Sequence, residues 1–187
     1  MENSGLLYML REEKFNEMKL MYSLFKRCPQ ALSEMKSELK NYIINEGGKL
    51  VTNENISNED LVKQVIEFRD KILDFHNKAL SRDSTIELTI MYGFESFINS
   101  NEKTAKSLVM YLDDQFKKEF KNNTEVEISD KVDKVIQIFR YLQDKDIFES
   151  FYKNYFAKRL LDSRRILEDA EKEVIKKLKE ECGFNFT

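Results

Sequence analysis

Apolar residues recur every three or four positions along most of this 187-residue chain, a spacing that keeps them on one face of an α-helix. The run from Leu61 to Ala79 is the clearest, because its apolar positions follow one another at alternating steps of four and three. The pattern predicts eight helices, at about 7–25, 29–47, 61–79, 84–98, 108–120, 128–142, 147–161 and 168–183. The sequence therefore predicts an all-α fold.

Several residues mark where these helices begin and end. Pro29 disfavours helix at the residue before it and suits the first turn of the helix that follows. Gly47-Gly48 is expected to end the second helix as a C-cap. Capping boxes are predicted at Ser57-x-x-Asp60, Ser84-x-x-Glu87 and Thr124-x-x-Glu127. A turn at Asn122-Asn123 separates five helices from three, which places a boundary near residue 120.

Composition supports the helical prediction and disfavours nucleic acid as a partner. The chain has five glycines and one proline, whereas these two residue types together make up ~12% of an average sequence. β-Sandwiches and barrels need more turn residues than this. The net charge of −3 and the pI near 5.5 disfavour a nucleic-acid-binding domain, which is usually strongly basic.

The chain shows no segment that would place it in or across a membrane. No stretch approaches the ~18 apolar residues that span a bilayer, and the N-terminal apolar run is too short for a signal peptide. Cys28 and Cys182 lack the paired spacing of a zinc site or a disulfide framework, so both are expected to be free thiols. Cys28 is expected to pack at a helix end. A soluble protein of the cytoplasm or nucleus is predicted.

The residue types needed for catalysis or metal binding are scarce. His76 is the single histidine, and its place beside the apolar position Phe75 of a predicted helix favours a structural or surface role. The loop that starts at Asn53 lacks the glycine and the final glutamate of a calcium-binding loop. We therefore expect no enzymatic activity, no metal and no cofactor. The aromatic residues of the seventh predicted helix are expected to form a core, with Phe148, Phe151 and Tyr152 inside.

Three segments of the chain carry motifs that point to one protein family. Met21–Val51 contains a cullin-like Met-Tyr-x-Leu-x-x-Arg stretch and a later Tyr-Ile helix end. Asp130–Leu161 is more specific, because Lys-Asp-Ile-Phe, Phe-Tyr and Ala-Lys-Arg-Leu-Leu stand in it as cullins have them. The third segment runs from Asp169-Ala170-Glu171 to Phe186-Thr187. Together these segments extend the resemblance to the cullin family over nearly the whole chain.

The resemblance implies a scaffold role in ubiquitin transfer. Cullins are non-catalytic scaffolds of multisubunit RING-type ubiquitin ligases, so residues 1–120 would be the third repeat of the stalk. Residues 121–187 would begin the C-terminal four-helix bundle, and the chain would be a fragment. The implied partners of the full-length protein are a substrate adaptor, possibly of BTB type, a RING subunit and an E2 ubiquitin-conjugating enzyme. An unrelated helical-repeat adaptor or interaction module is the alternative.

A basic run between Lys153 and Arg165 is the candidate binding site. Its charges sum to +4 within a chain of net charge −3. Spacing alone favours an ordinary solvated helix face, or more weakly a nucleic-acid-binding patch. In cullins, however, a basic canyon in the bundle receives the acidic tail of an E2 enzyme. The motif resemblance transfers this role to Lys158 and Arg159, and Arg164 and Arg165 are added because they lie close by.

Overall fold

Every regular element in the described part of the chain is an α-helix. The computed structural model describes residues 5–118, 123–161 and 168–182, which confirms the all-α prediction. The helices within these ranges are α1 (Leu6–Arg11), α2 (Phe15–Phe25), α3 (Pro29–Thr52), α4 (Asn58–Ala79), α5 (Ser84–Ile98), α6 (Lys103–Lys118), α7 (Glu125–Phe139), α8 (Lys145–Leu161) and α9 (Glu168–Cys182).

These helices pack into two compact units. The first unit comprises the described residues up to Thr52 together with Glu67–Ser100, and it contains α1, α2, α3 and α5. The second comprises Asn53–Ile66 and the described residues from Asn101 onward, and it contains α6 to α9. Helix α4 begins in the second unit and ends in the first. This division follows internal packing, so the predicted boundary between family repeats at residues 120 and 121 stays a prediction.

Glycine allows α3 and α5 to pack closely in the first unit. A Cβ on Gly47 of α3 would overlap the ring of Phe97, and a Cβ on Gly93 of α5 would lie 2.9 Å from Cγ2 of Ile43. Each helix therefore places a large side chain against a glycine of the other. The prediction that Gly47-Gly48 ends this helix is wrong, because α3 continues to Thr52. The close contact with Phe97, and not a left-handed turn, explains Gly47.

The two adjacent glycines of α3 should respond oppositely to substitution. Gly47→Ala is expected to destabilise the protein by about 1–3 kcal/mol, because the new methyl group must displace the Phe97 ring. A Cβ on Gly48 meets nothing within 4 Å, so Gly48→Ala is expected to stabilise by about 0.5–1 kcal/mol through helix propensity. Urea unfolding of both variants measures the difference. Equal stabilities would contradict the packing described for α3 and α5.

The predicted first helix is divided into α1 and α2. Glu13 has a left-handed φ of 54°, and the chain becomes helical again at Phe15. The reason lies in the apolar spacing, because the step from Leu10 to Phe15 is five residues. A straight helix would rotate Phe15 away from the face that buries Leu10, whereas the break allows α1 and α2 to bury separate faces.

Asp83, and not the predicted Ser84, caps α5. Its Oδ1 accepts hydrogen bonds from the Thr85 N–H at 2.8 Å and the Thr85 hydroxyl at 2.6 Å, and its Oδ2 accepts one from the Tyr22 hydroxyl at 2.6 Å. His76 is buried, and its Nε2 lies 3.0 Å from the Asp83 carbonyl oxygen. That oxygen can only accept, so Nε2 carries the proton and His76 has a structural role.

The Asp83 contacts predict a pH-dependent contribution to stability. Hydrogen bonds from Thr85 and Tyr22 lower the pKa of Asp83, and burial raises that of Tyr22 to about 12. The carboxylate therefore stabilises the fold above the unfolded pKa of about 4, and this contribution is lost as the pH falls through the lower folded pKa. Asp83→Asn is expected to cost about 1 kcal/mol at pH 7 and progressively less in acid. Chemical unfolding from neutral to acidic pH measures this, and a difference independent of pH would contradict it.

In the second unit α6 packs on α7 and α8, and α7 packs on α9. The predicted capping box at Thr124 is confirmed, because its hydroxyl accepts the Glu127 N–H while the Glu127 carboxylate accepts the Thr124 N–H. Ser57 similarly accepts the Asp60 N–H at the start of α4, at 3.0 Å. Phe148 is fully buried, with its ring centroid 4.7 Å from that of Phe139.

The two cysteines lie in different units, and neither is in a disulfide. Cys182 is half-buried at the end of α9, where burial raises the pKa of its thiol. Cys28 is exposed between α2 and α3, so the prediction that it packs at a helix end is wrong. Pro29, as the first residue of α3, turns the chain there as predicted.

Candidate functional site

Lys158 lies on the exposed side of α8, in its last turn. Its Nζ is 5.4 Å from the ring centroid of Tyr155, one turn earlier on the same helix. Lys153 lies five residues earlier, about 140° around the helix from Lys158, and pairs with Glu149 at 2.5 Å between Nζ and Oε1. Both predicted basic residues are exposed on α8, but they face different directions, and Lys153 is already in an ion pair.

Arg159 is buried, which corrects its predicted place on an exposed basic face. The residue is 7% exposed. Its Nη1 donates to Oδ1 of Asp113 on α6 at 2.8 Å, and its Nη2 donates to Oε2 of Glu171 on α9 at 3.2 Å. The Nε–H donates to the other carboxylate oxygen of Glu171. Because Arg159 is buried and three of its N–H groups are bound to these two carboxylates, it is not on the exposed face where an acidic ligand would bind.

Aromatic rings contact the guanidinium of Arg159 as well. Its Cζ lies 4.4 Å from the ring centroid of Phe116 on α6 and 5.6 Å from that of Tyr152 on α8. The Tyr152 hydroxyl donates to Glu171 at 2.9 Å. Arg159, Asp113, Glu171 and Tyr152 form one buried polar cluster, here called the Arg159 cluster, which joins three helices of the second unit.

The surroundings of Arg159 favour its charged form. Burial alone would lower the pKa of Arg159, but the hydrogen bonds to Glu171 and Asp113 and the negative charge of Glu171 outweigh burial and raise it. Burial and the Glu171 charge raise the pKa of Tyr152 far above its usual range. Tyr152 therefore keeps its proton and remains a donor. These hydrogen bonds hold α6, α8 and α9 together.

Arg164 and Arg165, the remaining candidates, lie outside the described residues. Of the predicted aromatic core, Phe148 and Tyr152 are buried as expected, whereas Phe151 is half-buried with the Lys106 Nζ 6.0 Å from its ring centroid.

The described residues contain no group of three or more His, Cys, Asp or Glu side chains that could hold a metal ion. Among the same residues, no helix is long and apolar enough to cross a membrane.

Helical spacing contained a signal for the Arg159 cluster that the sequence prediction missed. Arg159 follows Phe148 by eleven residues and Tyr152 by seven, so all three share one face of α8. Glu171 similarly precedes the buried residues Val174 and Leu178 at steps of three and four. A positive residue on the apolar face of α8 and a negative residue on the apolar face of α9 together predict a buried ion pair.

Sequence comparisons place this architecture in a family. The family model described as the cullin alpha solenoid domain matches residues 1–187. The chain is 38% identical over 189 residues to Cullin-3A of Arabidopsis thaliana and to Cullin-3 of Dictyostelium discoideum. It is 32% identical over 200 residues to Cullin-3 of Caenorhabditis elegans. Each alignment covers 100% of this chain and 25–26% of the relative, so the chain spans about a quarter of their length.

These matches extend over all three segments that carry the cullin resemblance, and they do not favour the alternative of an unrelated helical module. The helical fold agrees with the solenoid description of the matching family model. The chain belongs to the cullin family.

Proposed function

We propose that this chain is a stiff scaffold segment of a cullin-RING ubiquitin ligase. The observation that carries the proposal is the family match over the whole chain, to relatives about four times its length. In the full-length protein the segment would hold a substrate adaptor and a RING subunit with its E2 enzyme at a fixed separation. We further propose an adaptor of BTB type and a location in the cytoplasm or nucleus.

A scaffold of this kind contributes geometry and no covalent step. It raises the effective concentration of the substrate near the charged E2 enzyme, and the gain depends on whether both can be engaged at once. Packed helices suit this task because a flexible linker would spread the two ends over many separations. The buried faces of α3 and α5 in one unit, and of α6 and α8 in the other, supply such packing.

Reconstitution of the full-length protein tests the scaffold proposal. Ubiquitin transfer to an adaptor-bound substrate is measured with the RING subunit and the E2 enzyme, in the presence and absence of the full-length cullin. We expect transfer to depend on the cullin, because the cullin brings the substrate and E2 together. Equal transfer rates with and without it would overturn the proposal.

We also propose that the exposed side of α8 at Lys158 receives the acidic tail of an E2 enzyme. Opposite charge would act mainly on the association rate, and binding would weaken as the salt concentration rises. Arg159 takes no direct part, because its guanidinium is engaged inside the second unit.

A matched pair of lysines tests this second proposal. Lys158 and Lys40 are both exposed, with Nζ 5.4 Å and 6.0 Å from the ring centroids of Tyr155 and Tyr92. A synthetic peptide of consecutive Asp and Glu residues is titrated at low ionic strength into the wild type and two variants. Lys158→Glu is expected to weaken binding several-fold, and Lys40→Glu to leave it unchanged. Equal weakening by both would indicate unspecific charge attraction and would contradict the proposal.

A further inference from the structure

Arg159 connects three helices through two different kinds of contact. Its N–H groups donate to carboxylates of α6 and α9, and its Cζ lies over aromatic rings of α6 and α8. Because α8 contains Arg159 itself, one side chain joins α6, α8 and α9. The Tyr152 hydroxyl adds a second link from α8 to α9 by donating to Glu171.

This set of contacts requires the shape of an arginine. A guanidinium is planar and directs five N–H donors outward in fixed directions, so it can bind two carboxylates while its faces stack on rings. A lysine ammonium would supply one point charge and could not bind Glu171 in bidentate fashion. The contacts therefore restrict the angles between the helices as well as their distances.

Stability alone does not explain such a cluster. The cost of removing two carboxylates and a guanidinium from water often exceeds the attraction between them, and apolar or neutral replacements are frequently as stable. Directional bonds nevertheless favour one arrangement over similar ones. The directional contacts, and not the gain in free energy, thus distinguish this cluster from ordinary apolar packing.

We propose that Arg159 is a positioning residue that fixes α8 and α9 in one orientation against α6. This inference rests on the proposed scaffold function and deepens it, because a scaffold must keep a single geometry while its partners are bound. The orientation of α8 also decides which way its exposed side, with Lys158, faces. Arg159 would thus influence a binding surface that it does not contact.

A neutral replacement of the whole cluster separates positioning from stability. The triple variant Arg159→Met, Asp113→Asn, Glu171→Gln removes every charge of the buried ion pairs while keeping similar side-chain sizes. Arg159→Lys keeps the positive charge and loses the planar fork. The control is Arg140→Met with Glu181→Gln, because that ion pair also binds α9 but lies at the surface, with the arginine side chain 59% exposed. Melting temperature and amide hydrogen exchange along α9 are measured for each protein.

We expect the triple variant to melt within a few degrees of the wild type, while the amides of Val174 and Leu178 exchange at least roughly tenfold faster through local opening. Arg159→Lys should also exchange faster, and the control should match the wild type. Wild-type exchange in either the triple variant or Arg159→Lys would overturn the proposal, since packing alone would then orient α9. Unfolding of the triple variant would overturn it too, by giving the cluster a simple stabilising role.

The exchange measurement requires no ligase components, so its outcome does not depend on the scaffold function. A second measurement tests whether the positioning role of Arg159 matters for the scaffold function. In the full-length protein the triple variant is expected to slow ubiquitin transfer several-fold with adaptor and RING binding unchanged. Faster exchange without slower transfer would contradict the link to the scaffold function while leaving the positioning role intact.

Discussion

Arg159→Ala is expected to destabilise the protein by about 3–5 kcal/mol, because removing one partner of a buried ion pair leaves the buried charge of Glu171 uncompensated. Asp113 and Glu171 are both buried, at 3% and 7% exposed. After the substitution Glu171 would lose its bidentate donor, whereas Asp113 would keep its ion pair with Lys117. The neutral triple replacement differs, because it leaves no buried charge unpaired; Lys117, which loses Asp113, has a side chain that is 41% exposed.

Equilibrium unfolding in urea measures this loss. Arg140→Ala is the matched control, because Arg140 binds Glu181 of α9 from the protein surface. Exposed ion pairs typically contribute 0.2–1 kcal/mol, so the control should lose no more than about 1 kcal/mol. Similar losses in the two variants would contradict the buried placement of Arg159.

Phe148→Ala is expected to lower stability by a similar amount, about 3–5 kcal/mol, through the cavity it leaves. Phe148 is 0% exposed, and its ring centroid lies 4.7 Å from that of Phe139 and 6.1 Å from that of Tyr152. For a protein of this size the loss corresponds to a fall in melting temperature of about 6–20 °C. Differential scanning calorimetry measures the fall.

Leu161→Ala is the control for this prediction. Leu161 stands at the end of the same helix and is 86% exposed, so its truncation should change the stability by no more than about 0.5 kcal/mol. An unchanged melting temperature in Phe148→Ala would show that the aromatic residues of α8 do not form a core. A large fall in Leu161→Ala would show that the helix end is packed.

Local sequence rules predicted most helix positions because the signals they use are local. The apolar spacing of α4, the capping box at Thr124 and the turn at Pro29 all depend on residues within one or two helical turns. At Gly47 the prediction failed because a distant partner decided the outcome. Gly47 has the local signature of a helix end, yet it lies inside α3. The ring of Phe97, fifty residues later, leaves no room for a side chain at this position.

The cap of α5 illustrates a choice that sequence leaves open. Asp83 and Ser84 are both good N-cap residues, and a box from Ser84 to Glu87 is plausible by spacing. The Tyr22 hydroxyl, which binds Asp83 from another helix, could not be anticipated from local sequence. In α8 the sequence did contain the signal, because the helical face of Arg159 predicted burial, but the family resemblance drew attention to its charge instead.

The proposed role of this chain as a stiff spacer is tested most directly by replacing residues 1–187 in the full-length protein. A Gly/Ser linker long enough to span the same separation would keep the ends connected but not oriented. Ubiquitin transfer to an adaptor-bound substrate is measured, with adaptor and RING binding checked in parallel. We predict that transfer falls roughly tenfold or more while both subunits stay bound. Transfer at the wild-type rate would contradict this role, because the chain would then serve only as a tether.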